Sequence, residues 1–187
     1  MLFRSDAKGS PQPAVARLLE AGVAVLGADL LFQGDFNAGG NVPARTRVVA
    51  NPREFAGYTF GYNHALLAQR SHDVLTLVKL ARAGIGGFSA KSVAVAGLAG
   101  LGPVAVAARA VAGDAIDRAA IDTGGFRFGK LLDYRDPNFL PGGAKYPDLP
   151  GLLVAGTTTP LWLAGEGNSP ALVSELYRAA GVGARLT

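Results

Sequence analysis

Three carboxylates, Asp29, Asp122 and Glu166, each end or follow an apolar run of the kind that forms a buried β-strand. The carboxyl ends of parallel strands meet at one edge of a sheet, where ligands bind in open α/β proteins. We therefore expect the three side chains at one such edge. They either line one pocket and shift each other's pKa values, or they cap the turns and helices that follow.

A glycine-rich turn at residues 97–102 lies between an apolar run and a helix-like segment. Its three glycines lack the G-x-G-x-x-G spacing of a dinucleotide-binding turn. Pro103 and Val104 stand where a phosphate-binding P-loop has Lys and Ser or Thr, which excludes that chemistry. The third chemistry that such a turn serves is the nucleophile elbow, in which a sharp turn presents a nucleophile and the next backbone N–H binds an oxyanion.

Ala99 and Gly100 lie at the centre of this turn, and Ala99 carries no nucleophilic atom. They form either a degenerate elbow whose N–H groups bind a carbonyl or an anion, or a packing turn that lets the helix approach the strand. His64 is a candidate general base, with a capping or solvent-facing histidine as the alternative. His72 is expected at the surface. Ser89 precedes the strand predicted at residues 92–96, at the amino end of the sheet, and is interpreted as a loop serine.

Composition restricts the remaining functions. The 187 residues include no cysteine and two histidines, which excludes disulfides, a catalytic cysteine and thiolate metal sites. We expect no metal and no cofactor. Charges are scattered at a net +4, which does not favour nucleic acid as a partner. No apolar run approaches the roughly 20 residues of a membrane span, and the start lacks a signal-peptide core, so we expect a cytoplasmic protein without membrane contact.

Apolar runs and turn residues predict alternating strands and helices in a single domain over residues 1–187. Strands are predicted at 23–30, 92–96, 117–122, 160–164 and 184–187, and helices at 13–22, 62–83, 103–112 and 169–180. Residues 33–60 and 124–150 are predicted to be long loops. The second loop carries Arg127, Tyr134, Arg135 and Lys145, which either cover a cleft or are solvated. The order is typical of an α/β protein with a mostly parallel sheet and helices on both faces.

Four features occur in a suggestive order: the run Gly22–Asp29, a long helix with Gln69-Arg70 and Asp73-Val74-Leu75, the elbow-shaped segment 93–103, and residues 160–166 before the last helix. From about Pro13 to its end, the chain thereby resembles the α/β-hydrolase superfamily, in particular its acetyl-xylan-esterase-like and dienelactone-hydrolase-like members. The resemblance implies a three-layer α/β-hydrolase-like sandwich that lacks the family's first strands. It also implies a protein related to carboxylic ester hydrolases, with a small-molecule ester or carbonyl ligand.

The chain departs from this family at the residues that carry catalysis. The family's nucleophile falls on Ala99, its acid falls near Glu166, and its histidine would follow the final strand, where the sequence stops at Thr187. A Ser-His-acid triad cannot be assembled on this pattern. Any weak esterase activity would then use water, assisted by His64 or a carboxylate, with the Gly100 N–H as oxyanion donor. The alternative is a non-catalytic binding or structural module on the same scaffold.

The family strand that normally separates residues 23–30 from residues 92–96 has no counterpart here. Unpaired strand edges are costly, so either Val23–Leu30 pairs directly with Ser92–Ala96 or a second chain covers the exposed apolar faces. The apolar content of 49% favours the second outcome, and we expect a homo-oligomer. The sequence also leaves open that the chain is a fragment of a longer gene product.

Overall fold

The computed structural model describes residues 10–34, 37, 44–46, 51, 54–84, 86–87 and 89–187. The chain divides into two compact units, Met1–Pro43 and Ala44–Thr187. Each unit is described by itself below.

The first unit contains helix α1, Pro13–Glu20, as predicted. Proline at its first position fits there because it lacks the N–H that a helix start leaves unpaired. Gly22 ends the helix with a φ of +76°, and the Gly22 and Val23 amides bond back to the carbonyls of Leu19 and Leu18. This is a Schellman cap, which glycine allows because it has no Cβ to clash in the left-handed region.

The predicted strand at residues 23–30 is wrong. The segment is irregular, and Val23 and Leu26 are 47% and 53% exposed. An apolar run becomes a buried strand only where a sheet accepts it, and the described strands pair only with one another. The alternative in which Val23–Leu30 pairs with Ser92–Ala96 needs a strand at residues 23–30, and the structure has none there. Asp29 follows no strand, so it is not placed by a strand end.

The second unit contains five helices and three strands among its described residues. The helices are α2 (Ala56–Tyr62), α3 (Leu66–Ala83), α4 (Gly102–Ala112), α5 (Asp148–Ala155) and α6 (Ala171–Ala179). The strands are β1 (Ala94–Gly97), β2 (Arg118–Asp122) and β3 (Leu161–Ala164). Short 3₁₀ turns occupy Gly113–Ala115, Phe128–Lys130 and Gly183–Arg185.

The three strands form one parallel sheet in the order β1-β2-β3, which confirms the α/β class and the parallel arrangement. Ala94 lies opposite Arg118, and Ala119 lies opposite Leu161. The predicted last strand is reduced to a parallel bridge between Leu161 and Leu186, extended by backbone hydrogen bonds between Thr187 and β3.

The two faces of the sheet differ. Ala119, Ile121 and Leu161 alternate onto one face and are buried. Helices α3 to α6 pack against one another in series, and α4 also packs on β1 and β2. The opposite face carries Trp162, which is 48% exposed. The main core of this unit thus lies on the face of the sheet that carries Ala119, Ile121 and Leu161.

The predicted helix at residues 62–83 begins later and is preceded by α2. Asn63 adopts an extended conformation between the two helices, and its side-chain amide donates to the Thr59 carbonyl at 2.7 Å. Asn63 therefore caps the end of α2, and α3 starts at Leu66 and not at the predicted Tyr62. Ala65 occupies the residue before α3.

A buried arginine ties the helix layer together. Arg109 on α4 is 1% exposed and donates to the carbonyls of Leu153, Thr157 and Thr159 and to the Tyr177 hydroxyl. These acceptors lie at the end of α5, in the segment before β3 and on α6. The carbonyls at a helix C-terminus carry partial negative charge, which stabilises the buried guanidinium.

Candidate functional site

The parallel register places the ends of all three strands at one edge of the sheet. Gly97 lies opposite Ile121, and Asp122 lies opposite Ala164. The turn that contains Ala99 follows β1 directly, and Glu166 comes two residues after β3. Two of the three predicted carboxylates, Asp122 and Glu166, are therefore carried by the same edge, together with Ala99. This edge is the candidate site.

Glu166 is held in a bidentate ion pair with Arg127, a residue of the segment that follows β2. The Arg127 Nη1 and Nη2 atoms donate to the two Glu166 oxygens at 3.0 and 2.5 Å. The Thr123 hydroxyl donates to Oε1 at 2.5 Å. Thr123 is buried, and the Glu166 side chain is only 6% exposed. Two planar groups matched in this way give strong and directional hydrogen bonds.

The pair is ionised on both sides. Burial is the largest single influence on the Glu166 pKa and raises it, but hydrogen bonds from Arg127 and Thr123 lower it, as do the charges of Arg127 and Lys130. The resulting Glu166 pKa is below the ordinary value. The hydrogen bond with Glu166 raises the pKa of Arg127. Glu166 is thus a fixed carboxylate at neutral pH, with no proton to donate as an acid.

Asp122 takes the capping alternative. Its Oδ1 atom accepts from the Gly124 amide at 2.9 Å, an interaction that closes the turn after β2. Gly165, with a φ of +82°, passes so close to the Gly124 amide that a side chain there would overlap it. The turns after β2 and β3 therefore lie against each other, and glycine makes that approach feasible.

The turn after β1 is sharp. Ala99 and Gly100 both have positive φ, +52° and +86°, and the Leu101 amide bonds to the Leu98 carbonyl at 3.1 Å. An alanine in this region is uncommon, because its Cβ crowds the backbone. A strained residue between a strand and a helix is the form of a nucleophile elbow. Ala99 is exposed, and no heavy atom lies within 4 Å of where a Gly100 Cβ would be.

The remaining predicted site residues take no part in the Glu166 ion pair. His64 lies just before α3 and is exposed, and Glu166 is engaged by Arg127 and Thr123 and not by an imidazole. Asp29 belongs to the first unit and follows no strand. His72 is exposed on α3, as expected.

Sequence reasoning missed Thr123, and it considered Arg127 only as part of a loop that either covers a cleft or is solvated. One signal for the pair was present: an arginine in the segment after β2 and a glutamate in the segment after the adjacent strand β3 carry opposite charges. Segments that follow neighbouring parallel strands begin at the same edge, so their side chains are within reach of each other. To predict the pair from this signal, one also needs to know that β2 and β3 are neighbours in the sheet, and the sequence does not specify the strand order.

The loop at residues 124–150 is more firmly built than a solvated loop. The Arg135 Nη2 atom lies 3.1 Å from Glu54 Oε2, and the Glu54 side chain is buried. Thr46 donates to the Arg135 carbonyl, and the rings of Phe60 and Phe139 are stacked 5.2 Å apart. The solvated interpretation is therefore wrong for Arg127 and Arg135, whereas Lys145 is exposed.

Within the described part of the chain, no three His, Asp or Glu residues are grouped so as to hold a metal ion. No helix among these residues has the length and apolar character to cross a membrane. No protein family, curated protein or solved structure matches the chain.

Proposed function

We propose that this chain is a non-catalytic binding module on a scaffold related to the carboxylic ester hydrolases. The observation that carries the proposal is the capture of Glu166 by Arg127 and Thr123 at the edge where Ala99 replaces a nucleophile. We further propose that the scaffold is the three-layer α/β-hydrolase-like sandwich implied by the resemblance, with a second copy of the chain covering the face of the sheet that carries Trp162. The parallel sheet and the strained turn after β1 support this view.

Ester hydrolysis by a triad needs a nucleophile, an imidazole base and an acid that orients the imidazole. The side chain of Ala99 is a methyl group. Glu166 has its two oxygens committed to Arg127 and Thr123, and His64 is exposed before α3. The parts needed for triad chemistry are thus absent or engaged elsewhere, which favours binding over turnover.

The exposed turn provides the binding chemistry at this edge. Gly100 is exposed and stands two residues before the start of α4. We propose that its amide binds a carbonyl or carboxylate oxygen, as amides at helix starts do. We therefore propose a small-molecule ester or carbonyl compound as ligand, for a protein that acts in the cytoplasm as a homo-oligomer and without metal, nucleic acid or membrane.

The same turn supports a second candidate, a weak esterase. The Gly100 amide would bind the developing oxyanion, while water, assisted by His64 or a carboxylate, attacks the ester. Where His64 is the base, His64→Ala abolishes the activity, and unchanged activity in this variant excludes His64 as the base.

The proposal is tested with a fluorophosphonate that labels activated serines and with p-nitrophenyl acetate. We expect no labelled serine, no burst and hydrolysis at the buffer rate, both for the wild-type protein and for Ala99→Ser. Glu166 is committed to Arg127 and Thr123, so it orients no imidazole to activate a new hydroxyl. Stoichiometric labelling of any wild-type serine, or hydrolysis of p-nitrophenyl acetate above the buffer rate, would overturn the non-catalytic proposal. His72→Ala, which removes an exposed histidine on α3, is the matched control for His64→Ala.

A further inference from the structure

A cavity of about 320 Å³ lies within the loop between β2 and α5. Its wall is formed mainly by apolar side chains, namely Phe128, Leu131, Phe139 and Leu140. Lys145 is the charged residue among those that line it. Cavities of this size lie at the lower end of the range for small-molecule sites, roughly 300–1,000 Å³, and such sites are typically apolar with few polar groups.

The aromatic walls of the cavity are fixed by contacts behind them. The Phe128 amide donates to Asp148 Oδ1 at 2.7 Å, and its ring meets the Phe126 ring edge to face at 5.0 Å. Phe139 is stacked on Phe60 of α2. Gly143 passes so close to Phe128 that an added Cβ would lie 2.8 Å from the ring. A cavity with walls held in this way is formed before a ligand arrives, which reduces the entropic cost of binding.

Lys145 gives the cavity a preferred charge. Its ammonium group lies 5.2 Å from the centroid of the Tyr146 ring, within the distance of a cation–π contact. Lys145 itself lines the cavity beside the apolar side chains, so its charge is available to a bound ligand. A ligand with an apolar body and one negative group complements both parts of the cavity.

The cavity also occupies a suitable place in the fold. Phe128 directly follows Arg127, and the segment that carries both starts at the carboxyl end of β2. This is the edge where parallel α/β sheets bind ligands. The cavity itself shares none of its lining residues with the Glu166 ion pair.

We propose that this cavity binds a small apolar monoanion, such as an aryl or medium-chain carboxylate. The proposal deepens the proposed function and rests on it, since a module that holds ligands without converting them needs a site for the apolar part. A carboxylate of this kind is also the acid half of a carboxylic ester.

The test uses two fluorescent probes with closely related ring systems. One is 8-anilinonaphthalene-1-sulfonate, which carries a negative charge, and the other is N-phenyl-1-naphthylamine, which carries none. We expect the wild-type protein to bind one equivalent of the anionic probe. The large side chain in Ala144→Trp fills the cavity, so we expect it to weaken binding of both probes by about tenfold or more. Ala179→Trp, at the exposed end of α6, is the matched control and leaves binding unchanged.

A charge variant tests the anion preference. The Lys145 side chain is exposed, so we expect its replacement to have little effect on folding. We expect Lys145→Gln to weaken the anionic probe by about two- to fivefold and to leave the neutral probe unchanged, as for an exposed ion pair. Lys79→Gln, on the exposed surface of α3, leaves both probes unchanged. Equal binding of the anionic probe to the wild type and to Ala144→Trp would overturn the site. An equal loss of both probes in Lys145→Gln would overturn the preference for an anion.

Failure of this inference is distinguishable from failure of the proposed function. The probes have no ester bond, so their binding is independent of turnover. Hydrolysis of p-nitrophenyl acetate would overturn the non-catalytic proposal, while the cavity would still be judged by Ala144→Trp.

Discussion

The hydrogen-bond partners of Glu166, Arg127 and Thr123, determine which chemistry its carboxylate can perform. Three hydrogen bonds from two side chains hold it ionised in a nearly closed environment. An ion pair of this kind contributes to stability mainly through the penalty for leaving one partner alone. We therefore expect the loss of either partner of the Glu166–Arg127 ion pair to lower the stability of the second unit.

Replacement of Glu166 by glutamine tests this statement. Glu166→Gln keeps the shape but loses the charge, and we expect the free energy of unfolding to fall by about 1–3 kcal/mol at pH 7. Urea unfolding measures the change. Glu175→Gln, on the exposed side of α6, should stay within about 0.5 kcal/mol of the wild type.

The lowered pKa of Glu166 fixes the direction of the pH dependence. A carboxyl group with a folded-state pKa below its unfolded value of 4.5 stabilises the fold above that pH, and the contribution disappears as the pH falls through the folded-state pKa. The difference between the wild type and Glu166→Gln should thus be constant from pH 7 to about 5 and shrink below 4.5. A difference that grows on acidification would contradict the assignment.

At the scale of elements, the start of α4 lies against the end of β2. A Cβ on Gly102 would overlap the carbonyl oxygen of Asp122 and lie 3.0 Å from the Thr123 Cα. Both obstacles are backbone atoms, which cannot rotate away. Glycine at this position therefore sets the distance between α4 and the strand that carries Thr123.

We expect Gly102→Ala to lower stability by about 1–3 kcal/mol, the usual cost of overpacking, with a lower melting temperature in a thermal scan. Gly61→Ala on α2 is the matched control, since nothing lies within 4 Å of its Cβ. The control should leave stability unchanged or raise it, because alanine favours helix. An unchanged melting temperature for Gly102→Ala would show that the contact relaxes freely.

Most of the second unit was predictable because its elements depend on local patterns. Apolar runs and flanking glycines or prolines placed β1, β2, β3, α4 and α6 within a few residues of their observed bounds. Residues 23–30 show the opposite case, since the same apolar pattern has no sheet to join. Prediction of the Glu166–Arg127 pair also required the strand order, which the hydrophobic pattern alone does not specify. Tertiary context decided both outcomes.

At the scale of the whole molecule, the exposed face of the sheet remains to be covered. Parallel sheets are almost always buried on both faces, yet Trp162 is 48% exposed on β3. Ala96 and Ala120 lie in register with it across the sheet. A second copy of the chain is the occupant that we propose for this face.

Sedimentation velocity at micromolar concentrations tests the assembly. We expect a species larger than the 19.1 kDa chain, and we expect Trp162→Glu to shift it towards the monomer by placing a charge in the interface. Leu132→Glu, at a fully exposed loop position, should leave the assembly intact. A wild-type protein that sediments as a monomer throughout this range would refute the proposal.

The order β1-β2-β3 is also the order in which a ribosome makes the strands. Each new strand docks on an edge that already exists, so the sheet is able to grow while synthesis continues. The step from Ala94 to Arg118 closes a shorter loop than the step from Ala119 to Leu161, and longer loops cost more entropy to close. We expect β3 to join last and to bring Glu166 to Arg127. We therefore expect the Glu166–Arg127 ion pair to form only after β3 has joined the sheet.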